Sequence, residues 1–232
     1  MQAPIIAPSS ARLAKSNSKP FGPRLRAAPR ARAVSVMAKL NVYVKGDPKT
    51  NTLLDCPFCH RVLLTLETKG APYDVSYVDF DDKPKWLVDE FEGKVPVIQD
   101  GDTKMATAPE AAGKILPAFR GWLMASPAEE TEKKAAFLAA LDALDAALAA
   151  APGPLFGGER MDSTDAALAP KLYHALTALK HWKGFNIYAL PADKYPAIKK
   201  YRLALAELEA WKKVDYGTEA IIKGWERHMK GH

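Results

Sequence analysis

The stretch Leu40–Lys45 (LNVYVK) alternates and is rich in β-branched and aromatic residues, which predicts a strand. Gly46, Asp47 and Pro48 then predict a loop. From Pro57 the period changes, with Phe58, Val62, Leu63 and Leu66 on one helical face and Gly70 as the stop. Tyr73–Val78 reads as a second strand, and Lys83–Phe91 as a short helix closed by Gly93. Val95-Pro96-Val97-Ile98 begins a third strand, with Thr103–Ala106 as its hairpin partner across Asp100-Gly101. A further helix is expected from Glu110. The predicted order is β-α-β-α-β-β.

Beyond about Ser126 only helical patterns remain. Phe137, Leu141, Leu144 and Leu148 are spaced by four, three and four residues, which makes one apolar stripe. Asp162 and Asp165 flank an expected N-terminal cap, followed by Leu168, Leu172, Leu176 and Leu179. Pro170 inside this segment is expected to kink it. Tyr195–Val214 reads as one amphipathic run and Ala220–Met229 as a terminal helix carrying Trp225. The pattern therefore predicts an α/β domain over 39–125 followed by an all-α domain over 126–232.

Composition changes this picture at the N-terminus. The chain has a net charge of +6, yet residues 1–38 hold seven of its 33 Lys and Arg and none of its 27 Asp and Glu. Once they are set aside the charge is close to balanced, which removes the argument for a nucleic-acid partner. Residues 1–38 are rich in Ala, Ser and Pro and lack the roughly 7–15-residue apolar run of a secretory signal. They read as a transit peptide, plastid rather than mitochondrial because Pro is frequent, with cleavage expected near Val34–Ala38. A basic tail that binds nucleic acid or anionic lipid is the alternative. No stretch approaches the roughly 20 apolar residues of a membrane helix, so no membrane partner is expected.

The two cysteines sit together as Cys56-Pro57-Phe58-Cys59. One pair makes no secreted disulfide framework. Zinc would require two ligands beyond this pair, and His60 alone does not supply them, so no metal is expected. A Cys-x-x-Cys beside a strand–helix–strand pattern is instead the redox placement of a thioredoxin-like domain. Cys56 precedes a helix that opens on Pro57, so its sulfur faces unpaired N–H groups and the positive end of the helix dipole. Both favour the thiolate. Cys59 reads as a hydrogen-bond donor or as a resolving or protective thiol.

These residues carry a family resemblance. Asp55-Cys56-Pro57-Phe58 with Arg61-Val62-Leu63-Leu64-Thr65-Leu66-Glu67 resembles the active-site helix of plant dehydroascorbate reductases. Asp82-Lys83-Pro84-Lys85-Trp86, Gly93-Lys94-Val95-Pro96-Val97 and Leu168-Ala169-Pro170-Lys171-Leu172-Tyr173-His174 resemble segments of the same family. The likeness runs from about Lys39 to Trp225. It implies the glutathione-transferase fold, a thioredoxin-like N-terminal domain followed by a helical domain. It also implies glutathione-dependent reduction of dehydroascorbate to ascorbate, with glutathione as co-substrate, no bound cofactor and a monomeric chain.

By position, the resemblance makes Cys56 the nucleophile that forms a mixed disulfide with glutathione. Lys45 and Asp55 match residues of the ascorbate pocket, although the charge of Asp55 opposes a neighbouring thiolate. Val95, preceding Pro96 at the place where thioredoxin-like proteins carry a cis-proline, and Lys83 match the glutathione site. His174 and Trp225 match positions that close the site from the helical domain, and His228 is a candidate for the substrate. The plainer readings are a surface lysine for Lys83, a core histidine for His174 and a packing residue for Trp225. The sequence departs from the family at Thr107-Ala108-Pro109-Glu110, where an acidic residue and a serine usually hold the γ-glutamyl end of glutathione.

Three other functions fit parts of the pattern. A glutaredoxin-like or omega-type transferase acting on glutathionylated substrates would suit the cysteine pair. A chloride-channel relative of the same fold would need an apolar inserting helix. A non-catalytic binding module would not need Cys56.

Overall fold

The computed structural model describes residues 39–106 and 113–230. The transit-peptide reading, the expected helix start at Glu110 and the departure at Thr107–Glu110 lie outside the described residues.

Strand β1 (Leu40–Asp47) is the centre of the sheet. It pairs in parallel with β3 (Tyr73–Val78), Val42 opposite Val75, and antiparallel with β4 (Val97–Asp100), Val42 opposite Ile98. β5 (Thr103–Ala106) completes the far edge as a hairpin partner of β4. The expected loop at Gly46–Asp47 is instead the end of β1, which turns back into the short β2 (Thr52–Leu53). Asp47 closes this turn by accepting the Lys49 N–H at 2.8 Å, and Asn51 takes the left-handed conformation, so side-chain chemistry extends the strand past its glycine.

The period of two along β1 sorts its side chains. Val42 and Val44 face the main core, beneath helix α1 (Pro57–Lys69), whose Val62, Leu63, Leu64 and Leu66 are buried there. Tyr43 packs into a smaller cluster on the opposite face with Val78, Leu87 and Val97, covered by α2 (Lys85–Phe91). Helix α1 ends at Gly70, whose left-handed backbone (φ 60°) lets its N–H reach the carbonyl oxygens of Leu66 and Glu67.

After the sheet come α3 (Ile115–Leu123) and α4 (Glu130–Ala149), and in α4 Phe137, Leu141, Leu144 and Leu148 are buried as the stripe requires. α5 (Ser163–Lys183) runs through the middle and packs on α1, α3 and the last helix, α8 (Gly217–Lys230). It starts with a full capping box: Asp162 accepts from Thr164 and Asp165, while buried Asp165 accepts from Asp162, Phe156 and Gly157. Pro170 is buried within α5 and does not break it. The run Tyr195–Val214 is two helices rather than one, α6 (Pro196–Glu207) and α7 (Glu209–Val214). Leu208 alone is extended between them (φ −70°, ψ 128°), so the chain turns where the apolar period continues. A 3₁₀ turn at Ile187–Ala189 was not expected. No helix among the described residues is long and apolar enough to cross a membrane.

Candidate active site

Cys56 is the N-cap of α1, with extended backbone (φ −141°, ψ 106°) and Pro57 in the first turn. Its Sγ accepts the N–H of Cys59 at 3.4 Å, so a sulfur fills the place that a serine or aspartate oxygen usually takes. Hydrogen bonding from the Cys59 thiol is the largest influence holding the Cys56 pKa below its ordinary value. The Cys59 and Phe58 N–H groups and the charge of Lys45 act in the same direction, against burial. Cys59 is driven the opposite way, well above its ordinary value, by burial and then by its hydrogen bond to Cys56 and the charge there. Its own Sγ accepts the Lys45 N–H at 3.4 Å and it has no solvent exposure. The pair is thus sorted: Cys56 loses its proton first and Cys59 keeps its own.

Lys45 resolves the conflict between Asp55 and a neighbouring thiolate. Its Nζ lies 2.7 Å from Asp55 Oδ1 and 3.3 Å from the Asp55 carbonyl oxygen. The two side chains are only 14% and 8% exposed, so the pair is largely dry. The Asp55 carboxylate rests on α8 at Gly224, where an added Cβ would overlap it. Glycine is therefore needed for the helix to come this close.

Val95–Pro96 is a cis peptide bond just before β4, with Pro96 buried and Val95 half-buried. The Lys83 ammonium sits 4.3 Å from the centroid of the exposed Phe80 ring, and that of Lys45 lies 5.4 Å from the same ring. Phe80 links the two lysines and was not singled out from sequence.

His174, from the middle of α5, is 1% exposed and has both ring nitrogens engaged. Trp225 Nε1–H donates to its Nδ1 at 3.1 Å, and its Nε2 lies 2.6 Å from the Tyr216 hydroxyl. Burial, then electrostatic interaction with His60 and with the charge of Lys45, lower its pKa to about 3, so the ring is neutral. His228 is exposed, its ring 5.2 Å from that of Trp225. Lys230, one helical turn from Glu226, is exposed as well.

The structure therefore gathers Cys56, Cys59, Lys45 and Asp55 into one cluster, which reaches Trp225 and His174 through Gly224. Lys83 joins it by way of Phe80, and the exposed His228 has its ring 5.2 Å from that of the buried Trp225. Sequence reasoning missed Gly224, Phe80 and Tyr216, and weighed His60 only as an insufficient zinc ligand. His60 is fully buried between Trp211 and Tyr216, at ring distances of 4.7 and 4.9 Å, with neither nitrogen hydrogen-bonded. Burial lowers its pKa to about 3 as well. Its place four residues after Cys56 was visible in the sequence, but its aromatic surroundings come from α7 and the link between α7 and α8. Among the described residues, no group of three or more His, Cys, Asp or Glu could hold a metal ion.

Two family models match the chain: Glutathione S-transferase, N-terminal domain over residues 55–110, and Glutathione S-transferase, C-terminal domain over 127–204. The chain is 37% identical over 199 residues to the probable glutathione S-transferase DHAR1, cytosolic, of Oryza sativa subsp. japonica, covering 75% of this chain and 91% of that protein. It is 33% identical over 216 residues to the glutathione S-transferase DHAR3, chloroplastic, of Arabidopsis thaliana, covering 83% and 81%. The crystal structure of Chlamydomonas reinhardtii dehydroascorbate reductase superposes with a TM-score of 0.76 at 46% identity, covering 83% of this chain and 99% of that one. With the fold, the cysteine-capped helix and these relatives in agreement, the chain belongs to the dehydroascorbate reductases of the glutathione S-transferase superfamily.

Proposed function

We propose that this enzyme reduces dehydroascorbate to ascorbate with two glutathiones, through a Cys56 thiolate and a mixed disulfide between Cys56 and glutathione. The observation that carries the reading is the Cys56 sulfur itself. It caps α1 on the Cys59 N–H, and the paired thiol beside it keeps the proton. The thiolate is the reactive form of cysteine, and thiol–disulfide exchange then releases glutathione disulfide.

In this reading Lys45 and Asp55 meet the substrate oxygens, with His228 at the outer edge of the pocket. The half-buried backbone at Val95 beside cis-Pro96 supports glutathione binding there, and Lys83 supplies charge for one of its carboxylates. Trp225 and His174 complete the wall from the helical half. The test is glutathione-dependent ascorbate formation, compared with turnover on a glutathionylated peptide. Preference for the peptide would instead establish the omega-type reading.

Cys59 acts on Cys56 rather than on substrate, because it is wholly buried. Cys59→Ser keeps a donor in place and should retain activity within about threefold of the native enzyme. Cys59→Ala removes the donor and should shift the pH profile of Cys56 alkylation upward. Complete loss of turnover in Cys59→Ser would show a dithiol mechanism.

We also place the enzyme in the plastid, as a single chain of domains 39–125 and 126–232 after removal of residues 1–38. The composition of that leader supports the reading, and relatives are named both chloroplastic and cytosolic. A fluorescent protein fused behind residues 1–38 should enter plastids; retention in the cytosol rules this out. Light scattering that gave twice the mass of one chain would exclude a monomer.

A further inference from the structure

Trp225, His174 and Tyr216 form a hydrogen-bonded line whose direction is set by the chemistry of its members. An indole N–H only donates, so His174 Nδ1 is an acceptor. The neutral ring carries its one hydrogen on Nε2, and gives it to the Tyr216 hydroxyl oxygen 2.6 Å away. Tyr216 is therefore obliged to direct its own hydroxyl hydrogen elsewhere, and no described residue accepts it.

The Tyr216 ring reaches the helical turn that carries Cys56 by way of His60. It packs against His60, whose backbone N–H bonds to the Cys56 carbonyl oxygen at 2.9 Å. The Asp55 carboxylate closes the other side through Gly224, the neighbour of Trp225. Burial raises the Tyr216 pKa well above the ordinary tyrosine value, and Cys56 and then Asp55 are the charges that reinforce the shift. The hydroxyl thus stays protonated beside a site of negative charge.

We propose that Tyr216 donates this hydrogen bond to the dehydroascorbate oxygen that becomes anionic when the Cys56 thiolate adds to its carbon. The proposal rests on the reaction described above. In the addition, a carbon–sulfur bond forms and the carbonyl π pair moves onto oxygen, where Tyr216 holds it. The oxygen is then protonated by the proton that glutathione's thiol releases to solvent. Attack of the glutathione thiolate on Cys56 Sγ makes the sulfur–sulfur bond and breaks the carbon–sulfur bond. That electron pair passes into the ring as the ascorbate enediolate, so dehydroascorbate gains two electrons and the two sulfurs lose them. A second glutathione thiolate attacks the glutathione sulfur and restores the Cys56 thiolate. Tyr216 keeps its proton throughout, and attack on a disulfide creates no carbonyl oxyanion for it to stabilise.

The test compares two substrates in Tyr216→Phe. The kcat for dehydroascorbate should fall on the order of 10²-fold, as for loss of one oxyanion donor. Turnover of a glutathionylated peptide and the pH profile of Cys56 alkylation should stay within about twofold of the native enzyme. Parallel losses on both substrates, or no loss on either, overturn the role of Tyr216. Should Tyr216→Phe fail to fold, 3-fluorotyrosine at position 216 keeps the side chain's shape and strengthens its hydroxyl as a donor; the kcat for dehydroascorbate should then change while that for the peptide does not, and an equal change on both substrates, or none on either, overturns the proposal. A native enzyme that forms no ascorbate would instead overturn the reaction itself.

Discussion

Cys56→Ser should abolish glutathione-dependent formation of ascorbate, lowering turnover by about three orders of magnitude or more. Serine keeps the cap, because its oxygen can accept the Cys59 N–H that the sulfur accepts at 3.4 Å. Helix α1 and the fold should therefore survive with a native melting temperature, and the loss is chemical. An alcohol does not ionise near neutral pH, and an ether oxygen is no partner for thiol–disulfide exchange. In the native enzyme, alkylation of Cys56 should rise with pH through a pKa below that of an ordinary thiol, since the thiolate is the reacting form and hydrogen bonding from Cys59 favours it. Residual ascorbate formation above a hundredth of the native rate, on the order of 3 kcal/mol of barrier, would rule Cys56 out as the nucleophile.

Lys45→Met should have the largest effect on stability. The ion pair with Asp55 is 2.7 Å long, and its members are 14% and 8% exposed. Removing the ammonium leaves a carboxylate in a dry pocket, against Gly224 and next to the thiolate. Breaking a buried pair in this way costs about 3–5 kcal/mol, whereas replacing both members is far less costly. Chemical denaturation should show that loss for Lys45→Met and recovery of most of it in Lys45→Met/Asp55→Asn. The single variant should also raise the pH at which Cys56 alkylates, because a favourable charge is removed. A loss below about 1 kcal/mol, the range of exposed pairs, would show that solvent screens the site.

What the sequence revealed was local. A cap, a proline and a glycine within fifteen residues specify α1: the Cys56 sulfur accepts at the cap, Pro57 sits in the first turn and the Gly70 N–H donates at the end. The stripe of α4 and the Asp162 cap were legible for the same reason, as was the hairpin of β4 and β5. The break at Leu208 was not, since no glycine or proline marks it and the spacing of Leu205, Leu208 and Trp211 carries an apolar face across the turn. The candidate nucleophile could be picked out from its motif. Its surroundings could not, because Gly224 and Tyr216 lie some 160 residues away in sequence and reach Asp55 and His60 only through packing of the last helices. Nor does a glycine inside an amphipathic helix announce which carboxylate will rest on it.

That distance has a consequence for how the protein is made. Everything that gives Cys56 its thiolate character through α1 is encoded by residue 69, whereas Tyr216, Gly224 and Trp225 are translated about 150 residues later. At roughly 5–20 residues per second, a ribosome needs on the order of ten seconds or more to travel from one to the other. During that interval the nascent chain holds a reactive sulfur with no helical wall beside it. Reactivity is written early in the message and selectivity late, so the growing chain carries its thiol chemistry before the architecture that would choose its partners has been made.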